Sequence, residues 1–171
     1  MGVECHITGD MIRSSEPALI IMNHRTRLDW MFFGMHFTKW IHGWAMQCAA
    51  YLFLERQYEN DIRTINDMIN YYKDLGQHYQ ILLFPEGTDR GERAAKRSNE
   101  FAIQHGLPKY DFVLHPRTTG FSYMIQLMRQ KNYLKNVYDI TVAYPDGIVS
   151  SELELLQKVA SACCAFRCEE I

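Results

Sequence analysis

Short apolar runs alternate along this chain with longer stretches whose apolar residues recur at helical spacing. Residues 18–22 (Ala-Leu-Ile-Ile-Met) form a continuous apolar run that stops at Asn23 and predict a buried strand. Residues 50–54 form a second short run, and residues 80–84 a third, cut off by Pro85. Residues 112–114 and 137–143 are read as further strands. Between them, apolar positions 62, 65, 68, 69, 72 and 75 make one stripe of a helix that Gly76 ends. Helices are also expected at 29–37, 98–105, 121–128 and 152–162, with Ser98 as an N-cap and Gly106 as a C-cap. Strands alternating with helices predict an α/β fold, a mostly parallel central sheet flanked by helices.

In such sheets ligands gather beyond the carboxyl ends of the strands. The unusual polar residues of this chain fall there. Asn23-His24 follows the first run, Glu55-Arg56 the second, and Pro85-Glu86-Gly87-Thr88 the third. His24 and Asp29 lie five residues apart. On a straight helix that spacing turns about 140° away from a shared face. A direct pair therefore requires His24 at the strand end or helix entry and Asp29 in the first turn. There the helix dipole disfavours imidazolium, and Asp29 fixes the ring tautomer. No Gly-x-Ser-x-Gly sequence supplies a nucleophile. The pair is suited to activating a substrate hydroxyl directly; the alternative is a structural histidine bonded to a helix aspartate.

The turn at Glu86-Gly87-Thr88 offers acceptors, a donor and close backbone approach, or else serves as an ordinary strand-to-helix turn capped by Thr88. Arg56 matches phosphate geometry, or forms a surface ion pair with Glu55 or Glu59. Arg90, Arg93, Lys96 and Arg97 meet phosphates or make a solvated helix face.

Composition narrows the picture. With 171 residues, 47% hydrophobic and 22% charged, the chain suits one folded domain. A net charge of −2 gives no footing for nucleic-acid binding. Five cysteines at irregular spacing argue against a disulfide framework and for a reducing compartment. Cys163, Cys164 and Cys168 lack the second pair that a zinc site needs, so no metal is expected. Residues 1–17 are polar, and no secretory leader is expected. No run of about 18 apolar residues occurs, so no spanning helix is expected. The aromatic stretch 30–44 is either an interfacial segment or a core helix.

Taken together, these residues resemble the glycerophospholipid acyltransferase family, of the 1-acylglycerol-phosphate acyltransferase type. Its Asn-His-x4-Asp motif is matched by Asn23, His24 and Asp29, its apolar strand ending in Arg by Arg56, and its Phe-Pro-Glu-Gly-Thr motif by residues 84–88. The apolar strand closing on Pro is matched by Val142-Ala143-Tyr144-Pro145. The wording is closest to the lysocardiolipin acyltransferase branch at residues 21–31, 113–121 and 138–145, and Asp89 after Thr88 agrees with it. The resemblance implies an acyltransferase domain over residues 1–157 and a divergent C-terminal tail over 158–171.

It also implies roles. His24 is the general base and Asp29 its orienting partner, both catalytic. Asn23, Arg56, Glu86, Gly87 and Thr88 bind substrate around the glycerol phosphate, and Pro145 shapes the acyl side. The implied donor is acyl-CoA as co-substrate, with no tightly bound cofactor, and the implied acceptor is a lysophospholipid. A membrane surface is the expected setting, at the endoplasmic reticulum or another endomembrane, held peripherally. Two departures bear on activity. Relatives carry membrane-spanning segments ahead of the domain, and the stretch between Asp29 and Gly43 is shorter here. These motivate a second expectation, a catalytically inactive lipid-binding or interaction module.

Overall fold

The computed structural model describes residues 4–26, 28–29, 58–145, 147–148 and 163–171. Through them run β1 (Glu4–Gly9), β2 (Ala18–Met22), α1 (Tyr58–Asp74), β3 (Gln80–Leu83), α2 (Glu92–His105), α3 (Thr118–Gln130), β4 (Asn136–Ala143) and β5 (Cys163–Glu170). The expected strand at 50–54, the helix at 152–162, the aromatic stretch 30–44 and all but the first residue of the helix at 29–37 lie outside the described residues.

The strands form one sheet in the order β1-β5-β4-β2-β3. β2 pairs in parallel with both β3 and β4, and β1 pairs in parallel with β5. Only the β4–β5 pairing is antiparallel among those described. This is the mostly parallel sheet that the alternation of runs predicts.

β2 sits between two cores. Ala18, Ile20 and Met22 pack on one face with Leu28, Tyr138, Ile140, Val142, Phe166 and Cys168. Leu19 packs on the other face with Ile65 and Ile69 of α1 and Met124, Leu127 and Met128 of α3. A parallel strand covered on both sides has no place for a polar residue, which explains its unbroken apolar run. β4 instead alternates, with Tyr138, Ile140 and Val142 buried and Asp139, Thr141 and Ala143 exposed. α1 carries Glu59 and Asp61 in its first turn and Lys73 in its last, complementing the helix dipole. Gly76, with φ 62°, follows its end. Among the described residues no helix is long and apolar enough to cross a membrane.

Three sequence expectations change. α2 begins at Glu92, not at Ser98. The intervening Arg-Ala-Ala-Lys-Arg is rich in strong helix formers, and Glu92 favours the first turn. Ser98 therefore lies mid-helix, where its hydroxyl accepts the His115 backbone N–H at 2.9 Å and bonds His115 Nδ1 at 2.9 Å. Gly106 does end α2 in a left-handed conformation, with the Leu107 N–H reaching back to the Ala102 carbonyl at 2.8 Å.

Residues 112–114 do not form a strand. Their backbone groups are taken by side chains: Arg25 donates to the Phe112 carbonyl, and Glu86 accepts the Leu114 N–H. Finally, β1 and β5 have no counterpart in the expected elements. β5 lies within the stretch assigned to the tail, yet it pairs with both β1 and β4. Its signal is a period of two, with Phe166 and Cys168 buried and Arg167 and Glu169 exposed.

Gly9 joins β1 to this sheet. Its φ is 93°, and an added Cβ would overlap the Cys168 carbonyl oxygen, which already accepts the Asp10 N–H. Gly9→Ala should lower the unfolding free energy by about 1–3 kcal/mol through backbone strain. The readout is a lower urea midpoint with an unchanged slope. An unaltered midpoint would mean that β1 does not meet β5 at Cys168.

Candidate active site

Parallel register brings three strand ends together. Met22 of β2 pairs with Ile140 of β4, and Ile21 pairs with Leu83 of β3. The residues that follow each strand therefore share one edge of the sheet. Asn23 locks the first exit. Its amide donates to the Val142 carbonyl at 3.0 Å and accepts the Val142 N–H at 2.7 Å, continuing the ladder by one side-chain rung.

His24 comes next, and its Nδ1 lies 3.0 Å from Asp29 Oδ2. Asp29 has 0% exposure. Its Oδ2 also accepts the backbone N–H groups of Arg25 at 2.6 Å and Thr26 at 3.0 Å, and its Oδ1 accepts the Tyr144 hydroxyl. The Asp29 N–H returns to the Thr26 carbonyl at 3.0 Å, closing a tight turn. The five-residue spacing thus works because His24 leaves the strand while Asp29 sits where the chain turns back. Burial, and then the charge and hydrogen bond of Asp29, push the Tyr144 phenol far above its ordinary value. Tyr144 therefore remains a donor to the carboxylate.

An ionised carboxylate can only accept, so His24 donates through Nδ1 and its Nε2 carries the lone pair. The imidazole stacks on Phe84, with centroids 4.2 Å apart and planes inclined by 26°. The His24 side chain is 17% exposed, and its Nε2 has no hydrogen-bond partner among the described residues. This pair can remove a proton from a hydroxyl brought to Nε2.

Glu86 ties three segments together. Its Oε1 accepts the His24 N–H at 3.2 Å and its Oε2 accepts the Leu114 N–H at 3.0 Å. Burial raises its carboxyl above the ordinary range, opposed chiefly by those two N–H bonds. Gly87 adopts φ 73°, with its N–H on the Phe84 carbonyl at 3.0 Å and the Arg117 side chain alongside. A side chain there would be strained. The Thr88 hydroxyl bonds Asp89 Oδ1 at 3.2 Å, and Pro145 is exposed beside Tyr144. Arg56 lies outside the described residues.

Three contributors escaped the sequence reading: Tyr144, Phe84 as a stacking surface, and Arg25. Tyr144 had a visible signal, a phenol directly after β4 and before Pro145. Arg25 reaches the Phe112 carbonyl and covers the Phe112 ring at 5.7 Å. Burial and then the nearby Arg90 charge lower its pKa, while Asp29 and Glu86 raise it. The Arg90 N–H donates to the His24 carbonyl at 2.9 Å, and its Nε is buried without a hydrogen-bond partner. A shallow concavity lined by Asp139, Thr141, Arg167 and Glu169 contains none of these residues. Among the described residues no three His, Cys, Asp or Glu side chains gather to hold a metal ion.

Comparison with known proteins bears on this site. The Acyltransferase family model matches residues 4–145, which include every element around it. Lysophosphatidylinositol acyltransferase 10 of Caenorhabditis elegans is 44% identical over 94% of this chain and 46% of its own length. Lysocardiolipin acyltransferase 1 of Gallus gallus is 41% identical over 91% of this chain and 46% of its own length. Probable 1-acyl-sn-glycerol-3-phosphate acyltransferase 5 of Arabidopsis thaliana is 33% identical over 80% of this chain and 41% of its own length. The chain thus spans slightly less than half the length of these curated relatives. No solved structure matches it.

Glu86 gives the site a signature in stability. Because burial favours its neutral form, the folded chain holds this proton more tightly than the unfolded chain. Its contribution is full below the ordinary value of 4.5 and is lost as pH rises through the raised native value. Urea unfolding across that window should show the stability difference between the native chain and Glu86→Gln shrinking as pH rises. A difference that stays constant with pH would remove the buried, raised carboxyl.

Proposed function

This chain belongs to the acyltransferase family, and on that premise we propose that it moves a fatty acyl group from acyl-CoA to the hydroxyl of a lysophospholipid or 1-acylglycerol phosphate. The observation that carries the proposal is the 3.0 Å contact between His24 Nδ1 and the buried Asp29 carboxylate, held where three parallel strands end.

Neutral His24 takes the proton of the acceptor hydroxyl on Nε2 as that oxygen attacks the thioester carbonyl. Asp29 stabilises the imidazolium that forms. The tetrahedral centre collapses, the C–S bond breaks and an ester remains. Thiolate is a good leaving group at its modest basicity, and the proton on His24 passes to the departing sulfur. No acyl-enzyme is required. Arg56 with the Gly87 and Thr88 turn holds the glycerol phosphate region, and Asn23 keeps the base in line through Val142. Glu86 serves the same substrate region by fixing the backbones of His24 and Leu114. Arg25 and Arg90 add positive charge beside the base, which suits a phosphate-bearing acceptor. Pro145 borders the acyl side. The work is done at an endomembrane surface such as the endoplasmic reticulum, in phospholipid synthesis or remodelling.

The test is transfer of label from radioactive acyl-CoA to a panel of lysophospholipids by the purified chain. His24→Ala should cut turnover by about 10²–10⁴-fold, the usual range for a lost general base. Undiminished transfer in that variant would contradict the mechanism. Lysolipid binding with no transfer by the native chain would instead indicate an inactive binding module.

A further inference from the structure

The segment from Arg90 to Arg117 differs from the rest of the chain in charge. It carries six Lys and Arg against three Asp and Glu, a net +3, within a chain whose total is −2. It also exposes large apolar side chains. Phe101 is 44% exposed, Tyr110 42% and Phe112 72%. The aromatic rings are not scattered. Tyr110 stacks on His115 at 4.6 Å, and Phe101 lies 6.0 Å from the same imidazole. Phe112 follows two residues after Tyr110 and is gripped through its carbonyl and ring by Arg25, the neighbour of His24. Arg97 and Lys109 are exposed in the same segment.

We propose that the surface formed by Phe101, Tyr110 and Phe112 with Arg97 and Lys109 docks this domain on a lipid surface that carries anionic headgroups. Aromatic side chains with an apolar body suit the boundary between headgroups and acyl chains. Basic residues beside them are drawn to anionic lipid, and the attraction weakens with salt. Charge selects this occupant: the patch is positive within a chain of net negative charge, so anionic headgroups complement it, whereas a symmetric second copy would set positive patch against positive patch. The geometry ties docking to the site. Phe112 is held by Arg25, and Leu114 by the Glu86 that also holds His24. A domain resting on this rim opens its base at the bilayer, within reach of a lipid hydroxyl. The proposal supplies the setting for the lysophospholipid reading, but vesicle binding is measured without acyl transfer, so each can fail alone.

The full chain is sedimented with vesicles of phosphatidylcholine alone and of phosphatidylcholine mixed with phosphatidylserine. Binding should favour the anionic vesicles and fall as salt is raised. Phe101→Ser, Tyr110→Ser and Phe112→Ser combined should lower the partition coefficient about tenfold or more on both kinds of vesicle. Arg97→Glu with Lys109→Glu should lower it by about tenfold or more on the anionic vesicles and leave phosphatidylcholine binding unaltered. Thermal unfolding of each variant verifies the fold, and the charge variant stands if the aromatic one does not fold. Unchanged partition of a folded variant of either kind would overturn the proposal. So would a native chain that ignores vesicles but dimerises through this patch, with the serine variant monomeric.

Discussion

Asp29 is a carboxylate with no exposure to water, and the site is arranged around satisfying it. Burying an ion costs several kcal/mol unless donors surround it. Asp29 has four: the His24 ring, two backbone N–H groups and the Tyr144 hydroxyl. Bonds to a charged group contribute about 1.5–3 kcal/mol each, the order needed to offset the burial. Each donor comes from a place fixed by the sheet. His24, Arg25 and Thr26 follow β2, and Tyr144 follows β4. The direction of those two strands is thus coupled to the orientation of the imidazole.

The other polar residues of the motifs act in the same manner. Asn23 extends the pairing of β2 with β4, and Glu86 joins the exit of β3 to His24 and Leu114. Removing any of them leaves buried backbone groups without partners and also shifts the base. Structural and chemical roles are therefore not separable by residue here. Residues 111–117, which have no regular structure, are likewise held by such bonds: side chains of Arg25, Glu86 and Ser98 take their backbone groups, and the Arg117 N–H meets the Pro85 carbonyl at 2.7 Å.

The sequence disclosed the parts whose cause is local or periodic. The run at β2, the stripe of Ile65, Met68, Ile69 and Tyr72 on α1, the stop at Gly106 and the polar residues after β2 and β3 all follow from burial or backbone freedom within one element. It also placed any direct pairing of His24 with Asp29 at a strand exit, and there the two lie 3.0 Å apart. What it missed depends on distant partners. Phe112 and Leu114 look strand-forming until Arg25 and Glu86 claim their backbone. Ser98 looks like a cap until His115 occupies its hydroxyl. β5 alternates properly, but its acidic end and its cysteines conceal a strand that pairs with β1 and β4 and packs Phe166 and Cys168 against β2.

The central claim is that Asp29 holds the proton of neutral His24 on Nδ1 and leaves Nε2 able to accept. Long-range proton–nitrogen NMR of the histidine-labelled chain reads that tautomer directly. The account predicts a protonated Nδ1 hydrogen-bonded to Asp29 and a bare Nε2, with the preference lost in Asp29→Ala. A neutral ring carrying its proton on Nε2, or a tautomer indifferent to Asp29, would contradict it.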